Sequence, residues 1–178
     1  MDDNGLVAAV LGGDRDAFRQ VVEREQVAVY RVCLRILGRP HDAEDVAQES
    51  FLMAYRALGS YRGEGPLGGW LMRIAMRQAY RRLGQRRELH ELTPELPLGS
   101  PGSDPLATTL AGERQREVRL AVAALGEPYR EVIALRFFAE LSLEEIAATT
   151  RRPVNTVKTH LRRGLERLRP ILGHEAVA

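Results

Sequence analysis

Apolar and polar positions alternate along this chain with helical rather than strand periodicity. In residues 16–37, Phe18, Val21, Val22, Val29, Val32, Cys33, Ile36 and Leu37 recur near the helical period, which predicts a long amphipathic helix. Gly38, Arg39 and Pro40 stop it. A second helix is expected from Asp42, a favourable N-cap, with Ala43, Ala47, Phe51, Ala54 and Leu58 as its buried stripe. Residues 59–69 are rich in glycine and read as a turn. A third helix follows, carrying Trp70, Leu71, Ile74, Ala75, Ala79 and Leu83 on one face. The pattern then breaks at Pro94, Pro97, Pro101 and Pro105, interleaved with glycine, serine and acids, which predicts an extended linker. Helical patterns resume through residues 118–125 and in a helix carrying Tyr129, Val132, Ile133, Arg136 and Phe137 after Pro128. Ser142 and Glu145 form a capping box for a short helix over residues 143–149. A last helix from about Asn155 buries Val157, Leu161, Leu165 and Leu168.

These elements predict an all-α chain of two small helical domains, 1–87 and 113–178. A flexible acidic linker, 88–112, joins them, and the second domain contains a helix-turn-helix. No convincing strand alternation or internal repeat occurs.

Charge sharpens the picture. The formal net charge is only +2, but it is laid out in blocks. Asp42, Glu44, Asp45 and Glu49 make residues 41–49 acidic. Arg73, Arg77, Arg81, Arg82, Arg86 and Arg87 make residues 72–87 basic, without an acid between them. Residues 88–113 are acidic again, and 151–169 are strongly basic. Two basic stretches on different domains suit two contacts with a polyanion. Lys158 is the one lysine among 26 basic residues, and arginine's rigid fork suits phosphates and base edges.

Several classes fall away. The apolar runs at 6–11 and 120–125 are far short of the ~20 residues that span a bilayer, so no membrane insertion is expected. The acidic start Met1-Asp2-Asp3 does not resemble a signal peptide. The single Cys33 excludes an internal disulfide framework and a cysteine-rich zinc site, and a reducing, cytoplasmic setting fits. There is no phosphate loop, nucleophile elbow or Cys-x-x-Cys, and no cofactor or catalytic residue is predicted. His41, Asp45 and Glu49 have helical spacing for metal ligation but lack a matching second set, so no metal site is assigned.

Three surfaces remain. On the last helix, Asn155, Thr156, Lys158, Thr159, Arg162 and Arg163 face outward once the buried stripe is removed. Such side chains at the start of a recognition helix can read base edges in the major groove. Arg73, Arg77 and Arg81 fall at i, i+4, i+8 along the arginine helix, near Tyr61, Arg62 and Trp70. Arginines beside aromatics suit single-stranded nucleic acid. Asp42, Asp45, Gln48 and Glu49 repel DNA and offer a face to a basic protein partner.

The chain resembles bacterial RNA polymerase sigma factors of the sigma-70 family, in the compact extracytoplasmic-function group. The resemblance spans residues 17–172 and rests on three motifs in order. Asp42-Ala43-Glu44-Asp45-Val46-Ala47-Gln48-Glu49-Ser50-Phe51 is similar to the family's core-polymerase-binding segment. Tyr61-Arg62-Gly63-Glu64 with Trp70-Leu71-Met72-Arg73-Ile74-Ala75 resembles the segment that opens and reads the −10 element. Leu141-Ser142-Leu143-Glu144-Glu145-Ile146-Ala147 with Thr156-Val157-Lys158-Thr159-His160-Leu161 resembles the −35-reading helix-turn-helix. The resemblance implies a non-catalytic promoter-specificity subunit, monomeric when free. Its partners would be core RNA polymerase (β′ clamp helices and β flap) and promoter DNA, double-stranded at −35 and single-stranded at −10, with a base flipped into a pocket. An anti-sigma protein is a further implied partner. The alternative is a helix-turn-helix regulator that is not a polymerase subunit. The chain departs from the family pattern in several places: Arg151 stands where glycine is common, Arg152 where an apolar residue is more usual, Arg77 and Arg81 where Asn and Asp are often found, and the turn Gly65-Pro66-Leu67-Gly68-Gly69 is richer in glycine than usual.

Overall fold

The structure is a computed structural model that describes residues 2–92 and 110–173. The first domain comprises α1 (Asp3–Leu11), α2 (Arg15–Leu37), α3 (Pro40–Ala57), a single 3₁₀ turn (Leu58–Ser60) and α4 (Leu67–Leu92). The second comprises α5 (Leu110–Ala124), α6 (Tyr129–Phe137), α7 (Leu143–Thr150) and α8 (Val154–Leu172). The described residues contain no strand. Helix occupies both edges of the span expected to be linker, 88–92 and 110–112; its centre lies outside the described residues.

α2 starts where Asp14 accepts hydrogen bonds from the backbone N–H groups of Asp16 and Ala17, and ends at Gly38, whose φ of 68° only glycine adopts without strain. α3 begins three residues earlier than expected. Pro40 takes the first helical position, where its missing N–H costs nothing, and Arg39 rather than Asp42 is the N-cap. Asp42 therefore sits inside the first turn, with its carboxylate free to reach Arg86. α4 also begins early, at Leu67, running through Gly68 and Gly69. The sequence pattern missed α1, a short helix capped by the side chain of Asp2, which accepts from Gly5 N at 2.8 Å. Its Leu6, Val7 and Val10 close one end of the core against Val21, Leu58, Leu67 and Leu71.

α2, α3 and α4 pack as a three-helix unit around Val29, Val32, Cys33, Ile36, Val46, Ala75 and Ala79. That core does not end at the domain boundary. Val132, Leu135, Ile146 and Val157 of the second domain belong to the same contiguous apolar cluster. The position of α6 explains this. Its Val132, Ile133, Ala134 and Leu135 are consecutive and all buried, so this one turn of the helix is covered on every side. Ile133 packs toward α5 and α8, among Val122, Leu125, Leu168 and Leu172, while its neighbours join the shared core. α6 is thus sandwiched between the first domain and the α5–α8 side of its own domain.

Polar contacts reinforce the packing. Arg35 of α2 donates to Phe138 O at 2.5 Å and pairs with Glu140 at 2.6 Å. Arg119 of α5 donates to Arg35 O at 3.1 Å. The two domains close on each other rather than standing apart on a linker.

Candidate nucleic-acid and partner interfaces

The helix-turn-helix forms as the sequence predicts. Ser142 Oγ accepts from Glu145 N at 3.1 Å, and Glu145 Oε2 accepts from Ser142 N at 2.8 Å, completing the capping box. These bonds hold the Glu145 carboxyl below its ordinary range. α7 ends at Arg151, which takes a left-handed conformation (φ 56°, ψ 43°), the geometry that usually calls for glycine. An Arg there is strained, and its side chain is held by Glu64 at 2.7 Å.

α8 buries Val157, Gly164 and Leu168, with Leu161 and Leu165 partly covered. Asn155, Lys158, Arg162 and Arg163 are exposed, and Thr156 and Thr159 are half-buried beside them. Thr159 donates back to Asn155 O at 2.9 Å, and Arg162 pairs with Glu166 at 2.6 Å along the surface. His160, edge-on to Tyr129, has its pKa lowered by burial and by Arg152 and Arg163.

The acidic edge of α3 divides in two. Asp42 accepts from Arg86 Nη1 at 3.0 Å and is largely covered. Glu49 pairs with Arg82 at 3.0 Å yet stays exposed. Gln48 is exposed, and Asp45 is half-exposed with His41 Nδ1 3.4 Å away. Leu52 and Met53 continue the exposed strip by one turn. No group of three metal-ligating side chains occurs among the described residues.

The Tyr61–Arg81 surface is only partly open. Tyr61 OH donates to Gly65 O at 2.6 Å, and its ring meets Trp70 edge-to-face at 5.8 Å. Asp3 of α1 accepts from Leu67 N at 2.7 Å and pairs with Arg24 at 2.7 Å, so the overlooked first helix fixes the start of α4. Arg62, Arg77 and Arg81 are exposed. Arg73 is not. Its Nε donates to Glu131 Oε1 at 2.9 Å, and its Nη1 to Thr149 O at 2.9 Å. The second domain also lies directly on the glycine-rich turn. A Cβ at Gly69 would fall 2.5 Å from Thr149 Oγ1, and one at Gly65 would fall 3.0 Å from Ala148 Cβ.

Glu131 had no signal in the sequence. An acid in the first turn of a helix is ordinary dipole complementarity, and only the tertiary structure gives it three arginine neighbours. Arg73 and Arg77 approach it from α4, and Arg152 Nη1 lies 2.8 Å from its Oε2. The departure at Arg152 from an apolar residue thereby gains a partner.

Comparison with known proteins agrees with this architecture. Residues 21–88 match Sigma-70 region 2, and residues 115–168 match Sigma-70, region 4. The chain is 33% identical over 173 residues to the ECF RNA polymerase sigma factor SigW of Bacillus subtilis, covering 92% of each protein. It is 35% identical over 176 residues to the ECF RNA polymerase sigma-E factor of Escherichia coli K12, covering 93% of this chain and 92% of that protein. Among solved structures, CnrH in complex with the cytosolic domain of CnrY superposes with a TM-score of 0.63 at 26% identity, covering 98% of this chain and 99% of that one. The sigma factor RpoE of Bartonella quintana, in complex with the anti-sigma factor NepR, has the same fold, with a TM-score of 0.56 at 20% identity over 89% of this chain and 98% of that one. The chain belongs to the sigma-70 family, in its ECF group, and is a sigma factor that directs promoter-specific initiation by RNA polymerase.

Proposed function

We propose a division of labour among the three surfaces. Asp45, Gln48 and Glu49 dock on the β′ clamp helices of core polymerase, with Leu52 and Met53 extending the contact. Asp42 serves this surface indirectly, by pairing with Arg86 and fixing the start of α3 against α4. The second domain rests on the β flap, and Asn155, Thr156, Lys158, Thr159, Arg162 and Arg163 read double-stranded DNA at −35. Tyr61, Arg62, Trp70, Arg73, Arg77 and Arg81 hold the single-stranded −10 element, with a flipped base near Tyr61 and Trp70. The protein acts in the cytoplasm by binding, positioning and strand capture, without a reaction of its own. An anti-sigma protein is a regulatory partner, as in the sigma factor RpoE of Bartonella quintana, which shares this fold and is captured with the anti-sigma factor NepR.

The observation that carries this reading is the exposed Asp45–Gln48–Glu49 edge of α3, which a regulator using only its helix-turn-helix does not need. The test is core binding by the double charge reversal Asp45→Arg/Glu49→Arg. Neither side chain is buried, so folding survives while affinity for core polymerase falls at least tenfold. Unchanged affinity in a folded variant removes this edge from the docking surface.

A further inference from the structure

Two of the arginines proposed to hold −10 DNA, Arg73 and Arg77, already face a carboxylate of the second domain. Glu131, with 12% of its side chain exposed, sits among Arg73, Arg77 and Arg152 at 2.9, 4.0 and 2.8 Å. A carboxylate gathered by several guanidinium groups has the chemistry of a phosphate in a nucleic-acid site. Beside it lies a cavity of about 440 Å³, where Arg81 and Arg130 join the three arginines on Glu131 against only one further carboxylate, Glu127. Tyr80 lines the same cavity, and its buried hydroxyl has no hydrogen-bond partner among the described residues. The positive excess, the space and the unused hydroxyl all favour entry of an anion.

Closure also covers one side of the turn: Gly65 and Gly69 lie against Ala148 and Thr149 of α7. A strand approaching from that side requires α7 to lift away.

We propose that Glu131 is an internal phosphate mimic that latches the free chain shut, and that DNA phosphates open the latch by taking over Arg73 and Arg77. The proposal rests on the assignment of those arginines to the −10 strand. The two kinds of contact across the interface have different roles. The shared apolar core makes closure the resting state. The ion cluster makes it responsive, because removing the one acid leaves three guanidinium groups facing one another, partly desolvated. A chain that must open before binding loses apparent affinity by the fraction that is closed. Loosening the latch restores it.

The test uses the full chain carrying fluorophores at Arg19→Cys and Ile171→Cys, exposed positions on α2 and α8; Cys33 is wholly buried and stays unlabelled. Energy transfer reports closure, and a mixed-sequence single-stranded DNA 20-mer is the probe. The unsubstituted latch gives high transfer that falls as the 20-mer is added. Glu131→Gln shifts the closed-to-open ratio at least tenfold toward open without DNA and tightens 20-mer binding. The swap Arg73→Glu/Glu131→Arg keeps one acid among three bases, so it returns to high transfer but needs at least tenfold more 20-mer to open. Glu131→Gln with the transfer of the unsubstituted chain overturns the latch. Should that variant fail to fold, a swap that stays open without DNA does the same. Core-polymerase binding, measured in parallel on the unsubstituted chain, separates failure of the latch from failure of the functional reading.

Discussion

Arg73 Nε donates to Glu131 Oε1 at 2.9 Å, tying α4 of the first domain to α6 of the second. The side chain that helical spacing aims at DNA is thus spent inside the protein. The exposed arginines differ from it in what their loss should do. Arg62→Ala and Arg81→Ala each weaken binding of single-stranded DNA and lower the salt-dependence slope by about 0.7 for each phosphate no longer neutralised. Arg73→Ala loses less affinity than either, because the same change loosens closure. Titrations at several salt concentrations separate the three.

On α8, Arg162 is shared with Glu166 whereas Arg163 has no ion pair with an acid among the described residues. Alanine at either position weakens duplex binding at −35 by about 1–3 kcal/mol where the arginine meets a base edge, and uniformly across sequences where it meets a phosphate. Binding to duplexes with each −35 base pair changed in turn tells the two apart. Equal binding by both variants and the parent removes these arginines from the DNA-binding surface.

The capping box of α7 predicts a pH dependence of known sign. Hydrogen bonds from Ser142 hold the Glu145 carboxyl below its unfolded value of 4.5. Its stabilising effect is therefore complete above about that pH and fades as the pH falls through the lower folded value. The stability difference between the parent and Glu145→Gln, followed by urea denaturation, is constant at neutral pH and shrinks in acid. A difference that grew on acidification would contradict the assignment. Ser142→Ala costs about 1 kcal/mol at neutral pH by loss of the cap.

Arg151 carries two opposed effects. Glycine at this position relieves a left-handed strain of about 1–3 kcal/mol, partly offset by the greater freedom of the unfolded chain, about 0.4–1 kcal/mol. It also deletes an exposed pair with Glu64, worth at most about 1 kcal/mol. Arg151→Gly is therefore expected to be neutral to mildly stabilising for the chain as a whole, while loosening the junction between the domains. Thermal unfolding gives the first quantity, and interdomain energy transfer the second.

Cys33 reports on the core. Burial pushes its thiol up to about 12, and the side chain has no exposed surface. Alkylation at pH 8 is expected to be negligible in the folded protein and rapid in denaturant. Fast labelling under native conditions would mean the α2–α4 core opens readily.

The helices were legible because their apolar stripes are long and regular, and the capping box because its two residues lie three apart. Pro40 displaced the expected cap at Asp42, since a proline at the first helical position competes with a side-chain cap and here prevails. α1 was hidden by its length, although Asp2 before Leu6, Val7 and Val10 was a usable signal. The closure of the domains was not legible at all. The buried run Val132–Leu135 fits a helix covered on both sides, but periodicity does not say what covers the second side. Glu131 was invisible for the same reason: its three arginines come from α4 and from the turn after α7, far away in sequence.

The most direct test of promoter-directed initiation adds the purified chain to core RNA polymerase lacking any sigma factor, with fragmented genomic DNA, and maps the 5′ ends of the transcripts. Discrete starts sharing two upstream elements at fixed spacing are predicted, and they should vanish with Asp45→Arg/Glu49→Arg. The absence of discrete starts, with the same polymerase active on another sigma factor, would contradict the account.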